Sequence, residues 1–199
     1  MSSVLAIVGT YRKGGVTDRL SDAVLQAAAD AGARTEKIYL IDKTIQYCTN
    51  CRTCTQQPGE QPGQCVIEDD MAEILEKIQA ADALVLAAPT NFFNVTAVFR
   101  AFMERTVGYA YWPWEKGAPG HRVKSGRRGK KAVLITASAA PTLLGRFAFR
   151  SLKALKTTAT VLGAKPIGSI YVGLAAREPE IELPAAAVKK ATRLGQRLA

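Results

Sequence analysis

Five short apolar runs, each followed by a stretch with helical spacing, constrain this chain more than any other feature. Val4-Leu5-Ala6-Ile7-Val8 is rich in β-branched residues and followed by Gly9-Thr10, so it reads as a buried strand. Residues 37–41, 83–88, 132–136 and 167–172 repeat the pattern. Segments 18–31, 69–78, 96–107, 145–162 and 185–198 read as helices. In the first of these, Leu20, Ala23, Val24, Ala27 and Ala28 recur at helical spacing, Thr17 is the expected N-cap, and Gly32 ends the run. The acidic pair Asp69-Asp70 suits the positive end of the next helix. Strands this apolar are buried on both faces, which predicts an α/β fold: a five-stranded parallel sheet with helices on both faces, a three-layer sandwich. With 199 residues, no internal repeat and no dividing linker, the chain reads as one domain, 1–199.

Ligands of such sheets bind at the carboxyl ends of the strands, near a switch in strand order. Three loops occupy that position. In Gly9-Thr10-Tyr11-Arg12-Lys13-Gly14-Gly15-Val16-Thr17, hydroxyls, glycines and helix-end amides together suit a phosphate. The loop fits neither the Walker pattern nor GxGxxG, which argues against an ATPase and against the usual dinucleotide fold. Pro89-Thr90-Asn91-Phe92-Phe93-Asn94 offers apolar faces and amide groups, which a planar ring with polar edges needs; the alternative use of Phe92 and Phe93 is core filling. Ser138 to Gly145 is rich in small residues, which let backbone amides approach a ligand.

The formal net charge is +10, and much of it lies in His121 to Lys131. A solvated loop is the ordinary use of such a run; contact with the phosphates of a nicotinamide cofactor is the other. Without aromatic interleaving or an accompanying motif, nucleic acid is not an expected partner. No apolar stretch is long enough to span a bilayer, and the opening run is too short for a signal peptide, so a cytoplasmic location is expected. His121 is the only histidine and reads as a surface residue, so no Ser-His-Asp or histidine-ligand site can be built. Trp112-Pro113-Trp114 is either a lid or subunit contact, or the packing of a long loop.

The four cysteines stand at 48, 51, 54 and 65. Three at two-residue intervals and a fourth would suit a 4Fe–4S cluster, and four sulfurs also suit zinc; ordinary thiols are the third reading. Ten residues with two Pro-Gly pairs separate Cys54 from Cys65, which raises the entropic cost of closing such a site.

Four motifs in order carry a family resemblance. Gly9 to Leu20 is similar to the phosphate loop Gly-Ser-x-Arg-x-x-Gly-x-Thr-x-x-Leu, with Thr10 in place of the serine. Cys48-x2-Cys51-x2-Cys54, followed by Cys65-Val66-Ile67-Glu68-Asp69-Asp70-Met71, resembles a cysteine loop and Asp-Asp-Met helix start. Ala81 to Val85 leading into Pro89-Thr90-Asn91-Phe92 resembles a third strand and flavin loop. Arg100-Ala101-Phe102-Met103-Glu104-Arg105 resembles Lys-x-Phe-x-Asp-Arg. Together they resemble the NAD(P)H-dependent FMN reductase and iron–sulfur flavoprotein families of the flavodoxin-like fold. The resemblance implies that Thr10, Arg12, Gly15, Val16 and Thr17 hold the FMN phosphate. It also implies that Pro89, Thr90, Asn91, Phe92 and Phe93 line the isoalloxazine, with Ser138 and Gly145 close by. It further implies NAD(P)H as electron donor, a small-molecule electron acceptor and a homodimer or homotetramer. The flavin carries the chemistry, so no catalytic side chain is expected. Two other roles fit the same residues: an electron carrier between a cluster and FMN, and a binding module without turnover.

Overall fold

The structure is a computed structural model, in which residues 1–122, 129–178 and 180–199 are described. Five strands form one parallel sheet: β1 Ser3–Val8, β2 Arg34–Tyr39, β3 Ala83–Ala87, β4 Lys131–Ala137 and β5 Lys165–Val172. Their spatial order is β2-β1-β3-β4-β5, so the chain changes direction between β1 and β3. That order is the flavodoxin-like one, and it opens a crevice at the carboxyl ends of β1 and β3. Register follows the sequence closely, with Val4 to Val8 beside Ala83 to Ala87 and Ala83 beside Lys131.

Alternation along each strand feeds two cores. Leu5, Ile7, Leu84, Leu86 and Leu134 face Ile74 and Ile78 of α3 (Met71–Ala80), Phe99 and Phe102 of α4 (Ala97–Arg105) and Leu155 of α6 (Ser151–Val161). Val4, Ala6, Val8, Val85, Val133 and Ile135 face Leu20 and Val24 of α1 (Val16–Asp30) and Leu194 of α7 (Ala185–Gln196). Two shorter helices, α2 (Thr53–Gln56) and α5 (Thr142–Ala148), sit in the loops. Among the described residues no helix is long and apolar enough to cross a membrane.

Local structure departs from the sequence reading most clearly at the following points. Thr17 is not the N-cap: α1 starts at Val16, Gly15 caps it in extended conformation, and Thr17 is buried. The second strand ends at Tyr39, because Leu40–Asp42 closes as a 3-10 turn. The predicted helix 145–162 is two helices, since Phe149 is extended and the Arg150 amide donates to the Phe93 carbonyl. Around Trp112-Pro113-Trp114, read as part of a long loop, Ala110–Tyr111 pairs with Gly120–His121 as a small hairpin.

Candidate functional site

A cleft of about 680 Å³ opens at the carboxyl ends of the strands. Of the predicted residues it is lined by Thr10, Arg12, Gly15, Val16, Thr17, Pro89, Thr90, Asn91 and Ser138. The loop before α1 is held in shape from within: the Thr10 hydroxyl accepts the Arg12 amide at 3.1 Å, and the Gly15 amide donates to the Arg12 carbonyl at 3.2 Å. Behind it, the Asp18 carboxylate reaches back from the first turn of α1. It accepts the Gly14 amide at 2.7 Å, Lys37 Nζ at 2.9 Å and the Tyr39 hydroxyl at 3.1 Å. Burial pushes the Asp18 pKa up, yet the Gly14 amide, Lys37 and Tyr39 together hold it below the usual carboxylate value. The first amides of α1 have no carbonyl earlier in the helix and point to the cleft end, where the helix dipole favours an anion.

The other cleft walls are made of small residues. Ala137, Ser138 and Ala139 follow β4, and Ala175 and Ala176 follow β5. The Ser138 hydroxyl accepts the Tyr171 hydroxyl at 2.9 Å. Gly145 stands behind that pair and not in the lining: a Cβ there would lie 2.2 Å from Tyr171 Oη and 2.8 Å from Ser138 Oγ. The loop after β5 was missed in the sequence. Glu180 and Ile181 line the cleft, and Arg19 Nη2 donates to the Ile181 carbonyl. Ala175-Ala176 just after a strand end was the available signal.

Phe92 and Phe93 also stand outside the lining. Thr90–Asn91 and Asn94–Val95 pair as a hairpin whose two-residue turn is Phe92-Phe93, with φ of 45° and 64°. Both positive values match the tight turn that a two-residue hairpin uses, where glycine or asparagine is usual. Neither ring fills core: Phe92 is 95% exposed and Phe93 63%, with Phe93 edge-on to Phe149 at 5.3 Å. Leu143, Leu144 and Phe147 are exposed on α5, the helix capped by Phe149.

The four cysteines are brought together: Cys48, Cys51, Cys54 and Cys65 line one second cavity. The long gap between Cys54 and Cys65 is already folded back, which offsets the closure cost expected from its length. The Gly63 amide donates to the Gly108 carbonyl at 2.9 Å, and a Cβ on Gly63 would lie 1.8 Å from the Cys54 carbonyl oxygen. The Gln57 side-chain amide donates to the Gln64 carbonyl at 3.1 Å and accepts the Gln64 backbone amide at 2.8 Å. Burial raises the Cys54 thiol pKa, as do Cys65, Cys48 and Cys51 nearby, whereas the Thr53 hydroxyl lowers that of exposed Cys51.

Three arginines fix this loop. Arg105 and Asp69 form a bidentate pair with both side chains 1% exposed, and Arg105 also donates to the Gln46 carbonyl at 2.9 Å. Asp69 therefore serves Arg105 as well as the start of α3, a use that its place beside Asp70 did not reveal. Arg52 lies between Trp112 and Trp114, 4.1 Å from each ring, so the tryptophan pair packs the loop. Arg122 is buried and donates to the carbonyls of Cys54, Gly59, Gly108 and Ala110. The basic run is thus partly internal: Arg122 is one end, and Lys130 at the other donates to the Ile78 carbonyl. Its middle, residues 123–128, lies outside the described residues. His121 is exposed, as expected.

Among the described residues no three metal-binding side chains stand close enough to grip a single ion. A tetrahedral zinc with four Zn–S bonds needs sulfurs only about 3.8 Å apart. A cubane of four irons spreads its four thiolates wider, and a shared cavity lined by four cysteines suits that donor set.

Comparison with known proteins gives a consistent outcome. The family model for NADPH-dependent FMN reductase matches residues 2–178. An iron–sulfur flavoprotein of Archaeoglobus fulgidus is 31% identical over 196 residues, covering 98% of this chain and 78% of that protein. Matches to iron–sulfur flavoproteins of Methanosarcina thermophila and Methanocaldococcus jannaschii span about half the length of those proteins, 52% and 51%. Among solved structures, an NAD(P)H:quinone oxidoreductase from Methanothermobacter marburgensis superposes with a TM-score of 0.74 at 18% identity, covering 100% of this chain and 99% of that one. An FMN-dependent NADH-azoreductase from Bacillus anthracis, in complex with FMN, gives 0.73 at 19%, covering 100% of both chains. These two share the fold.

Proposed function

This chain belongs to the NADPH-dependent FMN reductase family, and on that premise we propose that its whole length forms one cytoplasmic FMN-dependent NAD(P)H reductase unit. Its acceptor is a small molecule of the quinone, free-flavin or nitro/azo class. The observation that carries this reading is the cleft itself, in which the phosphate loop, Pro89-Thr90-Asn91 and Ser138 converge at the switch in strand order.

When bound, FMN supplies a ring that takes hydride from NAD(P)H and passes the electrons on. The residues bind and orient it. Thr10, Arg12, Gly15, Val16 and Thr17 hold the phosphate through hydroxyl, guanidinium and helix-end amides. Pro89, Thr90 and Asn91 run beside the ring, with Thr90 fixed by Ser151 at 2.7 Å. Ser138, braced by Tyr171 and Gly145, keeps the opposite wall close. Phe92 and Phe93 cap the rim and, with Leu143, Leu144 and Phe147, present an apolar face larger than isolated surface residues account for. A second copy of the chain covers that face in a homodimer.

Cys48, Cys51, Cys54 and Cys65 hold a 4Fe–4S cluster, supported by their shared cavity and by the names of the relatives. The same observation favours a second reading, an electron carrier that moves electrons between cluster and flavin without turning over NAD(P)H. Steady-state oxidation of NADPH with a quinone present separates the two: turnover supports the reductase, and flavin reduction without turnover supports the carrier. FMN titration of the apoprotein tests the cleft. Arg12→Ala should weaken FMN by about tenfold, the loss of one charge-assisted phosphate contact at about 1.4 kcal/mol; unchanged affinity contradicts the assignment.

A further inference from the structure

A third cavity, of about 480 Å³, backs onto the cysteine pocket. Met103 near the end of α4, Val107 in the 3-10 turn that follows it and Val161 at the end of α6 give it an apolar floor, and Asn50 and His121 stand at its polar edge. Cys48, Asn50 and Val107 line this cavity and the cysteine pocket alike, and Cys48 is the one thiol common to both.

The chemistry of the lining narrows the ligand. The volume falls within the roughly 300–1,000 Å³ of small-molecule sites, which combine apolar walls with a few polar groups. The thioether of Met103 is polarizable and adapts to a flat ring. An imidazole and a carboxamide at the edge donate hydrogen bonds to carbonyl oxygens. Among the described residues no lysine or arginine lines this cavity, in contrast to the cleft with Arg12, Lys13 and Arg19. Among the described residues a nucleotide or other anionic ligand therefore finds its counter-charges in the cleft, whereas the carboxylate that lines this cavity, Glu104, is already held by Arg100 at 2.9 Å.

We propose that this cavity binds a small, uncharged, planar electron acceptor of the quinone class, seated against Cys48. The inference rests on the reading of Cys48, Cys51, Cys54 and Cys65 as a redox centre, because only then does a molecule at Cys48 lie one side chain from its electrons. The reaction balances: the quinone gains two electrons and two protons and leaves as hydroquinone. NAD(P)H supplies the hydride, which is two electrons and one proton, and solvent supplies the second proton at the exposed edge.

The test uses duroquinone, whose fully substituted ring does not add thiols. His121 is the single histidine, so its ring signals in an NMR spectrum of the full chain are unambiguous. The expected result is a saturable shift of those signals with duroquinone, lost in Val161→Trp, which fills the floor. Ala110→Phe, on another wall, is the second variant should Val161→Trp fold poorly. In both variants FMN content, iron content and NADPH bleaching of the flavin stay at the wild-type level, while reoxidation by duroquinone slows by at least tenfold. No shift in the wild-type protein, or reoxidation unchanged in a folded variant, overturns the proposal. Iron-free wild-type protein that is still reoxidised by duroquinone at the wild-type rate overturns the electron path through the cysteines instead, and so marks failure of the cysteine reading separately from failure of the cavity.

Discussion

Replacing Asp18 with asparagine should loosen the phosphate loop while leaving the sheet intact. The carboxylate accepts three donors, the Gly14 amide, Lys37 and Tyr39, and its side chain is 3% exposed. An asparagine of the same shape keeps one oxygen and turns an NH2 group toward either the Gly14 amide or the Lys37 ammonium, donor against donor. One hydrogen bond to a charged group contributes about 1.5–3 kcal/mol. As a carboxylate partner Lys37 would then keep only Asp22, whose side chain is 56% exposed, beside its contact with the Tyr39 ring. The expected loss is about 2–3 kcal/mol, which for a chain of this size lowers the melting temperature by about 5–10 °C. Urea unfolding of the apoprotein at neutral pH, followed by circular dichroism, measures it, and FMN affinity should fall by about tenfold as the Gly14–Gly15 backbone is released. The pH dependence has a definite sign. Because the folded pKa of Asp18 lies below its unfolded value of about 3.9, the stabilisation is fully present above that value and lost as pH falls through the folded pKa. The gap between wild type and Asp18→Asn should therefore be constant near neutrality and close in acid. A variant within about 0.5 kcal/mol of wild type at pH 7 refutes the reasoning.

Two further substitutions probe the other features. Gly63→Ala places a methyl group 1.8 Å from the Cys54 carbonyl oxygen, so iron per chain should fall by more than half while FMN content holds, as read by elemental analysis and absorbance. Phe92→Asp puts a charge on the hairpin tip, and sedimentation of the variant should show a population shifted to monomer with FMN binding retained.

The sheet was legible because β1, β3 and β4 are built on apolar runs, whereas the edge strands β2 and β5 carry polar residues and showed only their apolar ends; the switch-point rule then picked loops that line the cleft. What stayed hidden depended on contacts distant in sequence. Helix 145–162 is broken because the Arg150 amide is captured by Phe93, more than fifty residues earlier. Phe92 and Phe93 looked like ring-binding aromatics, but a two-residue hairpin turn sends them outward. The Cys54–Cys65 gap looked costly from its length alone, and only the Gly63–Gly108 contact shows that it is already closed. The charge run hid the same kind of fact, since Arg122 and Lys130 spend their donors on backbone carbonyls and not on solvent.

The most direct test of the central claim is the visible spectrum of protein purified without oxygen, recorded before and after NADPH. The account predicts flavin bands that bleach on NADPH, above a broad brown absorbance from iron bound at Cys48, Cys51, Cys54 and Cys65. A colourless protein that takes up no added FMN would contradict it.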